Sequence, residues 1–176
     1  MARNIEIKAH IESVDSLLPL VGGLADEGPI EITQNDTFFA CQNGRLKLRA
    51  FSSSEGQLIF YRRNNQTGPK ESFYLISPTT TPDVLRESLS LAYGQVGRVR
   101  KNRTLFLVGR TRIHLDRVEG LGDFLELEVV MADGEPGEIG GAIAKDLMDK
   151  LGISSDQLME AAYVDLLRQG PPNPKG

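Results

Sequence analysis

The sequence predicts an α+β domain in which helices pack outside a curved or closed antiparallel β-sheet. Segments that alternate apolar and polar residues dominate the chain, and turn sequences such as "NG" at Asn43-Gly44 separate them. Four helical segments interrupt or follow these strands, and each has a single apolar stripe that must be covered. Many antiparallel strands with helices between some of them are typical of an α+β domain.

Eight segments have the period of two that is typical of strands. In "FLELEVV", for example, Leu125, Leu127 and Val129 share one face, while Glu126 and Glu128 share the other. The predicted strands are residues 3–12, 30–42, 45–52, 57–63, 71–76, 98–108, 110–118 and 123–131.

Capping and stop residues bound the four predicted helices. Ser13 can cap the first helix, Thr81 followed by Pro82 begins the second, and Gly152 ends the third. Ser155 opens the fourth. The predicted helices are residues 14–26, 82–93, 137–151 and 156–168.

The composition indicates a single domain, which we expect to span residues 1–168 and to be followed by a disordered tail, 169–176. The chain has 176 residues, of which 40% are hydrophobic, enough for a substantial core. Its net charge of -4 argues against nucleic acid as a partner. Cys41 is the single cysteine, and no apolar run resembles a signal peptide or a membrane span. We therefore expect a cytoplasmic protein with no membrane partner.

Several predicted strands carry charges of a single sign on one face. Arg45, Lys47 and Arg49 share a face of "RLKLRAF", and Lys101 and Arg103 form a second basic pair. A solvated outer face would explain any one of these strands. It explains the set less well, because exposed faces usually mix both signs with neutral polar residues. The charged faces are better explained if they converge inside a closed sheet.

A closed sheet of about eight strands encloses only a narrow space. Unpaired like charges inside it would cost several kcal/mol each, roughly, so the basic strands need a polyanion. The carboxylates Glu126 and Glu128 in turn need hard cations such as Mg²⁺ or Mn²⁺. A triphosphate with bound divalent cations meets both needs. A tetrahedral zinc centre is not expected, because the chain has only His10, His114 and Cys41 as soft ligands.

The order and spacing of these motifs resemble the CYTH superfamily, the triphosphate tunnel metalloenzymes. The first-strand motif of that family, Glu-x-Glu-x-Lys, is matched by "NIEIK", in which Glu6 and Lys8 are present and Asn4 replaces the first glutamate. The segments "QNDTFF", "RLKLR" and "VGRTRIHLDRVEGLGDFLELEVV" are most similar to the class IV adenylyl cyclase branch. The resemblance runs from about residue 3 to residue 167. It implies a closed antiparallel eight-stranded β-tunnel, or barrel, with helices packed outside.

The resemblance also implies roles for individual side chains. It implies two bound Mg²⁺ or Mn²⁺ ions, which would be coordinated by Glu6, Glu126 and Glu128. Asp116, Glu126 and Lys8 would act in catalysis, with Asp116 as a metal-water or acid–base residue. The side chains implied to bind the triphosphate are Lys8, Arg45, Lys47, Arg49, Arg63, Lys101, Arg103, Arg110 and Arg112.

Three functions stay open at the level of sequence. The cyclase-branch resemblance favours an adenylyl cyclase that converts ATP to cyclic AMP and pyrophosphate, and it suggests a homodimer. A triphosphatase acting on inorganic, thiamine or nucleoside triphosphate would use the same phosphate and metal ligands. A non-catalytic protein that binds polyphosphate or nucleotide is the third, because Asn4 removes one charge from the first-strand motif. The partner in all three is a small-molecule triphosphate.

Overall fold

The fold is described by a computed structural model that covers residues 2–63 and 68–169. The strands are β1 (Ala2–His10), β2 (Glu27–Phe39), β3 (Arg45–Ala50), β4 (Gly56–Arg63), β5 (Lys70–Thr79), β6 (Gln95–Val108), β7 (Thr111–Val118) and β8 (Gly122–Val130). The helices are α1 (Val14–Leu24), α2 (Pro82–Tyr93), α3 (Gly137–Leu151) and α4 (Tyr163–Gln169). The predicted α+β class is confirmed, and every predicted strand is present with its ends shifted by no more than three residues.

The strands form a ring. All pairs are antiparallel, and the order around the ring is β1-β5-β4-β3-β2-β6-β7-β8. Strand β1 closes it by pairing with β5 on one side and with β8 on the other. Because side chains alternate along each strand, one face of every strand points into the ring and the other points out.

The main hydrophobic core lies outside the ring, where α1 and α3 cover β1, β7 and β8. The buried side chains that join sheet and helices there are Ile5, Ile7, Ile113, Leu115, Leu125, Leu127, Val129, Val14, Leu17, Val21, Ala144, Leu147 and Leu151. These strand residues are odd-numbered, so the even-numbered polar residues of the same strands are turned inward. The packing of the helices therefore fixes which side chains reach the interior.

Three of the predicted helices form as expected. Ser13 caps α1, since its Oγ accepts a hydrogen bond from the Ser16 backbone N–H at 3.1 Å. Helix α2 begins at Pro82 and stops at Gly94, whose φ of 80° suits glycine. Gly152 ends α3 in the left-handed conformation. Among the described residues, no helix is both long and apolar enough to cross a membrane.

The predicted fourth helix, 156–168, is wrong in its first half. A short 3₁₀ turn occupies Ser155–Gln157, and α4 begins only at Tyr163. Between them the chain runs alongside β1, where the Met159 N–H donates to the Lys8 carbonyl at 2.9 Å. These bonds to β1 replace the helical ones, so the tertiary context overrides the helical pattern. Of the predicted tail, Gln169 is the last residue of α4, and 170–176 lie outside the described residues.

Candidate active site

The interior of the ring contains a cavity of about 330 Å³, within the usual size range of small-molecule sites. Among the described residues, seven cationic and four anionic side chains line it. They are Lys8, Lys47, Arg49, Arg63, Lys101, Arg103 and Arg112, with Glu6, Asp36, Glu126 and Glu128. The cavity thus has an excess of three positive charges inside a chain whose net charge is -4. Such a lining suits an anionic ligand.

The carboxylates of the cavity are concentrated on the adjacent strands β1 and β8. Glu6 is paired with Glu128 across the two strands, and Lys8 is paired with Glu126. Burial and the two nearby glutamates raise the pKa of Glu6 to about 7. Burial also opposes ionisation of Glu126, but Lys8 and Arg103 outweigh it and hold the pKa of Glu126 well below its usual range. A divalent cation at this wall would relieve the repulsion that Glu6 experiences.

His114 lies beside this acidic wall, on the neighbouring strand β7. Its imidazole and the carboxylates of Glu126 and Glu128 each offer a ligand atom, and these three atoms all lie within 4.8 Å of one another. Burial, reinforced by the Arg103 guanidinium, lowers the pKa of His114 to about 4, so the ring is neutral at neutral pH. The three side chains fit a divalent cation in number and in donor type.

The opposite wall is basic and contains a buried acid, Asp36 of β2, which was not among the predicted site residues. Arg49 donates two hydrogen bonds to its carboxylate, at 2.8 and 2.7 Å, and Lys47 Nζ lies 3.1 Å away. Burial, with Arg49 nearby, lowers the pKa of Lys47 to about 8. Burial, with Arg103 nearby, lowers that of Lys101 to about 7. Asp36 therefore holds two cations in place but does not compensate all of them.

Arg63 at the end of β4 is available to a ligand. Its side chain is 9% exposed, and its nearest carboxylate oxygen is Glu6 Oε2, at 3.8 Å. Within the described ranges, its Nε and Nη2 atoms are buried and have no hydrogen-bond partner. Leaving guanidinium donors unpaired in a buried site is costly, so an anion that accepts from Arg63 would bind strongly.

Asp116 has a different place from the one that the family resemblance implied. It does not line the cavity but lies behind Arg103, which donates two hydrogen bonds to it at 2.7 Å each. The Tyr163 hydroxyl donates a third at 2.8 Å. Arg103 also lies 3.1 Å from Glu126. With its oxygens committed to these donors, Asp116 orients Arg103 and is not placed to exchange protons with a bound molecule.

Two of the predicted phosphate ligands do not line the cavity. Arg45, the first residue of β3, pairs with Asp165 of α4 through contacts of 3.2 and 2.6 Å. Arg110 lies in the turn before β7 and pairs on the surface with Glu135, at 2.8 Å for both contacts. By alternation each arginine belongs to the inward face of its strand, but Arg45 is at the end of β3 and Arg110 lies before the start of β7. The other seven predicted phosphate ligands are brought together around one space.

The C-terminal segment covers one end of the ring. Lys8 Nζ donates to the Ala161 carbonyl at 3.3 Å, and Lys70 Nζ donates to the Glu160 carbonyl at 3.0 Å. Lys8 also lies 3.8 Å above the Tyr163 ring. Lys70 is almost fully buried at this end and was not among the predicted site residues.

The lining changes character toward the other end of the ring. Ile32, Phe51, Gln57 and Ile76 line the cavity there and border the basic wall, since Arg49 is the cross-strand partner of Gln57 and Arg103 that of Ile32. Ile76 is 48% exposed, which shows that this end opens to solvent. Phe51 follows the observed β3 but lies within the predicted strand 45–52, and alternation places it on the same face as Lys47 and Arg49, although it was not among the predicted site residues.

Three other lining residues were not predicted, although the sequence contains a pattern that could have identified them. Gln34, Asp36 and Phe38 alternate within "QNDTFF", and all three line the cavity. Their alternation predicts a shared face, so Asp36 could have been placed inside with the basic residues of β3. Asn4 also lines the cavity, with its Oδ1 buried and without a hydrogen-bond partner among the described residues.

Fold and site together define a class of protein: a ring of antiparallel strands that encloses a cation-rich cavity with one acidic wall. The chain belongs to the CYTH domain family, whose model matches residues 2–163. It is 28% identical over 177 residues to the adenylate cyclase CyaB of Aeromonas hydrophila, covering 94% of this chain and 88% of that protein. As a member of this family, the chain is an enzyme of cyclase or triphosphatase type.

Solved structures share the fold. The PH1012 protein of Pyrococcus horikoshii OT3 superposes with a TM-score of 0.82 at 23% identity, covering 93% of this chain and 98% of that one. A conserved protein of Pyrococcus furiosus superposes with a TM-score of 0.82 at 20% identity, covering 93% of this chain and 99% of that one.

Proposed function

We propose that the ring is a tunnel for a nucleoside triphosphate and that the enzyme is an adenylyl cyclase of the class IV type, which converts ATP to cyclic AMP and pyrophosphate. The observation that carries the proposal is the lining of the cavity, in which seven cationic side chains surround a space that has a wall of three glutamates. The similarity to the adenylate cyclase CyaB supports the choice of reaction.

The phosphate chain is bound by the basic wall and by Arg63. Arg49 and Lys47 are fixed by Asp36, and Arg103 is fixed by Asp116, so these cations are oriented before the ligand arrives. Because these side chains are already oriented, little free energy is spent on moving them when negative charge develops on the phosphates. They therefore stabilise that charge well. Arg63 supplies donors that no described protein group uses.

The nucleoside lies toward the open end. A base can stack on Phe51 and contact Ile32 and Ile76, and the Gln57 amide can both donate to and accept from its edge. The apolar surface of Phe51, Ile32 and Ile76 contributes nothing to the binding of an inorganic triphosphate. It therefore supports a nucleotide as the substrate.

The acidic wall would hold the divalent cations. Glu126 and Glu128 would bind one Mg²⁺ or Mn²⁺ ion, and Glu6 would contribute to a second. Such ions, when bound, neutralise charge on the phosphates and on the departing pyrophosphate. Lys8, which lies 3.4 Å from Glu126, keeps that carboxylate ionised and oriented.

Cyclisation forms a bond from the 3′ oxygen to the α-phosphorus, breaks the bond to pyrophosphate, and releases the proton of the 3′ hydroxyl. Asp116 is committed to Arg103 and Tyr163 and does not accept this proton. Glu6 and Lys101 line the cavity and both have a pKa of about 7. A bound polyanion keeps Lys101 protonated and a bound cation keeps Glu6 ionised, so the proton leaves to water at the open end of the cavity.

A triphosphatase is the second candidate, and the exposure of the nucleoside end favours it. Ile76 is about half exposed, whereas Lys101 and Arg103 are buried. The phosphate chain is thus the part of a ligand that the cavity encloses most completely. Inorganic or thiamine triphosphate would fill the same enclosed part.

Products distinguish these candidates. The purified protein should be incubated with ATP, tripolyphosphate and thiamine triphosphate, each with Mg²⁺ and with Mn²⁺. Cyclic AMP with stoichiometric pyrophosphate is the expected result. Orthophosphate would identify a triphosphatase instead, and binding without turnover would identify a non-catalytic binding protein.

Glu126→Gln tests the acidic wall directly. The change keeps the shape of the side chain but removes the charge that faces Lys8 and Arg103, and we expect turnover to fall by a factor of about 100 or more. Glu12→Gln, at an exposed residue, is the matched control and should leave turnover unchanged. Turnover that survives in a folded Glu126→Gln variant would contradict the proposed site.

A further inference from the structure

We propose that His114 is a direct metal ligand and that, with Glu126 and Glu128, it forms a mixed nitrogen and oxygen site selective for Co²⁺ and Mn²⁺ over Mg²⁺. The proposal rests on the proposed function for the role of the ion but not for its binding. The first-strand motif contributes Glu6 to the same wall, whereas His114 comes from the other side, on β7.

The distances suit one shared ion. His114 Nε2 lies 3.8 Å from Glu128 Oε2, and the ligand atoms of all three side chains fall within 4.8 Å of one another. With ligand bonds of about 2.0–2.2 Å, two ligands of one ion are about 3–4 Å apart. The 3.8 Å separation of His114 Nε2 and Glu128 Oε2 already falls within this range.

The state of the imidazole points to a ligand. His114 is 6% exposed, and neither ring nitrogen has a hydrogen-bond partner in the described part of the chain. A buried histidine with a structural role normally donates or accepts at least one hydrogen bond. A neutral imidazole has one nitrogen with a free lone pair, whichever tautomer it adopts. Because His114 lines the cavity, that nitrogen is available to a metal ion bound there.

The charged groups around His114 are bound to other partners and do not occupy its ring nitrogens. Arg103, on the adjacent strand β6, is already bound to Asp116 and Glu126, and Arg112 donates to Glu128 Oε2 at 3.0 Å. A proton relay from His114 to Asp116 is not available, because Asp116 accepts from Arg103 and Tyr163. Metal ligation is the use that satisfies a ring nitrogen of His114.

The donor set determines the choice of metal. Mg²⁺ prefers oxygen ligands and binds imidazole poorly, whereas transition ions bind imidazole with affinities that rise from Mn²⁺ to Co²⁺. The presence of one nitrogen among the protein ligands should therefore matter most for Co²⁺, less for Mn²⁺ and least for Mg²⁺.

Metal binding without any nucleotide tests the proposal. Calorimetric titrations with Co²⁺, Mn²⁺ and Mg²⁺ should be run on the wild type, on His114→Gln and on His10→Gln. We expect His114→Gln to lower the Co²⁺ affinity about tenfold or more and the Mg²⁺ affinity by less than about threefold. His10 is exposed and is the matched control, so His10→Gln should bind all three ions like the wild type.

A second measurement needs no variant. The pulsed EPR spectrum of Mn²⁺ bound to the wild-type protein should contain modulation from a directly coordinated ¹⁴N nucleus. Bound Mn²⁺ without that modulation, or equal Co²⁺ affinity in wild type and folded His114→Gln, would overturn the assignment of His114. If the metal data agree but no triphosphate is turned over, the proposed function fails while the ligand assignment stands.

Discussion

Asp36 and Asp116 are buried carboxylates that prepare the cavity for an anion without facing it as ligands. Each accepts two hydrogen bonds from one arginine, Arg49 for Asp36 and Arg103 for Asp116. The bidentate geometry fixes the guanidinium plane, and the aspartate offsets the cost of burying the arginine charge. Removing either aspartate would therefore disturb the binding of phosphate indirectly.

Phe51 tests whether the open end binds a base. Base–aromatic stacking contributes about 1–3 kcal/mol, so Phe51→Ala should raise KM for ATP by a factor of about 5–150. KM for tripolyphosphate should not change. Phe60 on β4 points out of the ring, and Phe60→Ala is the matched control for loss of an aromatic ring.

The two substrates must respond differently for this prediction to hold. An equal rise in KM for ATP and tripolyphosphate would mean that Phe51 supports the fold of the cavity and does not contact a base.

At the residue scale, alternation within strands predicted which face a side chain occupies but not its height in the ring. Arg45 and Arg110 have the same parity as the cavity-lining residues of their strands, yet they lie at or beyond the ends of β3 and β7 and pair with surface acids. Height depends on the stagger between strands, which no single strand contains. A role for His114 could not be assigned from the sequence, because the missing hydrogen-bond partners of its ring are a property of the folded neighbourhood.

The C-terminal segment is the element that sequence reasoning described least well. Its apolar spacing predicts one continuous helix over 156–168, but two buried lysines, Lys8 and Lys70, donate to its carbonyls. Those lysines come from strands far away in the sequence, so their effect cannot be seen in a local pattern. The predictions for α1, α2 and α3 succeeded, because their caps and apolar stripes are local.

Helix α4 packs against β6 at a position where the strand has a glycine, Gly97. A Cβ at Gly97 would collide with the Val164 side chain of α4. Gly97→Ala should displace α4 and cost about 1–3 kcal/mol, which for a chain of this size lowers Tm by about 3–10 °C. Thermal unfolding followed by circular dichroism measures this.

The control is Gly23→Ala in α1, where a Cβ has no neighbour within 4 Å. Alanine favours helix over glycine by about 0.5–1 kcal/mol, so this variant should keep or raise Tm. If the two variants had the same Tm, the packing of α4 on β6 would not depend on Gly97.

Over the whole molecule the net charge is negative, whereas the side chains that line the cavity have a net positive charge. The excess of positive charge in the cavity is maintained at a cost, since burial lowers the pKa of Lys101 to about 7 and that of Lys47 to about 8. The eight strands and the convergence of their basic faces followed from the sequence. Which carboxylate pairs with which cation, Asp36 with Arg49 and Asp116 with Arg103, had to be seen in three dimensions.

Binding of an anion should therefore be accompanied by uptake of protons. At pH 8 the Lys101 amine is mostly neutral in the free protein, and a bound polyanion raises its pKa, so close to one proton, roughly, is taken up at this residue. The affinity should accordingly fall as pH rises above about 7. Calorimetry of tripolyphosphate binding at pH 8, in buffers with different ionisation enthalpies and without divalent ions, measures the uptake.

Lys101→Arg isolates the contribution of this residue, because arginine stays charged throughout the range. The variant should take up fewer protons than the wild type and lose less affinity with rising pH. Protons that the ligand itself exchanges are the same in both proteins. Identical uptake would show that Lys101 is already charged before the ligand binds.

The segment that covers one end of the ring has a kinetic consequence for the proposed reaction. Lys8 and Lys70 tie it down from inside, so substrate and products share the open end near Phe51 and Ile76. ATP then enters with its phosphates leading, and pyrophosphate is formed in the deeper position. The cyclic nucleotide departs first, and pyrophosphate, held by the basic wall, leaves last. Pyrophosphate is then the product that competes directly with incoming ATP for the empty enzyme.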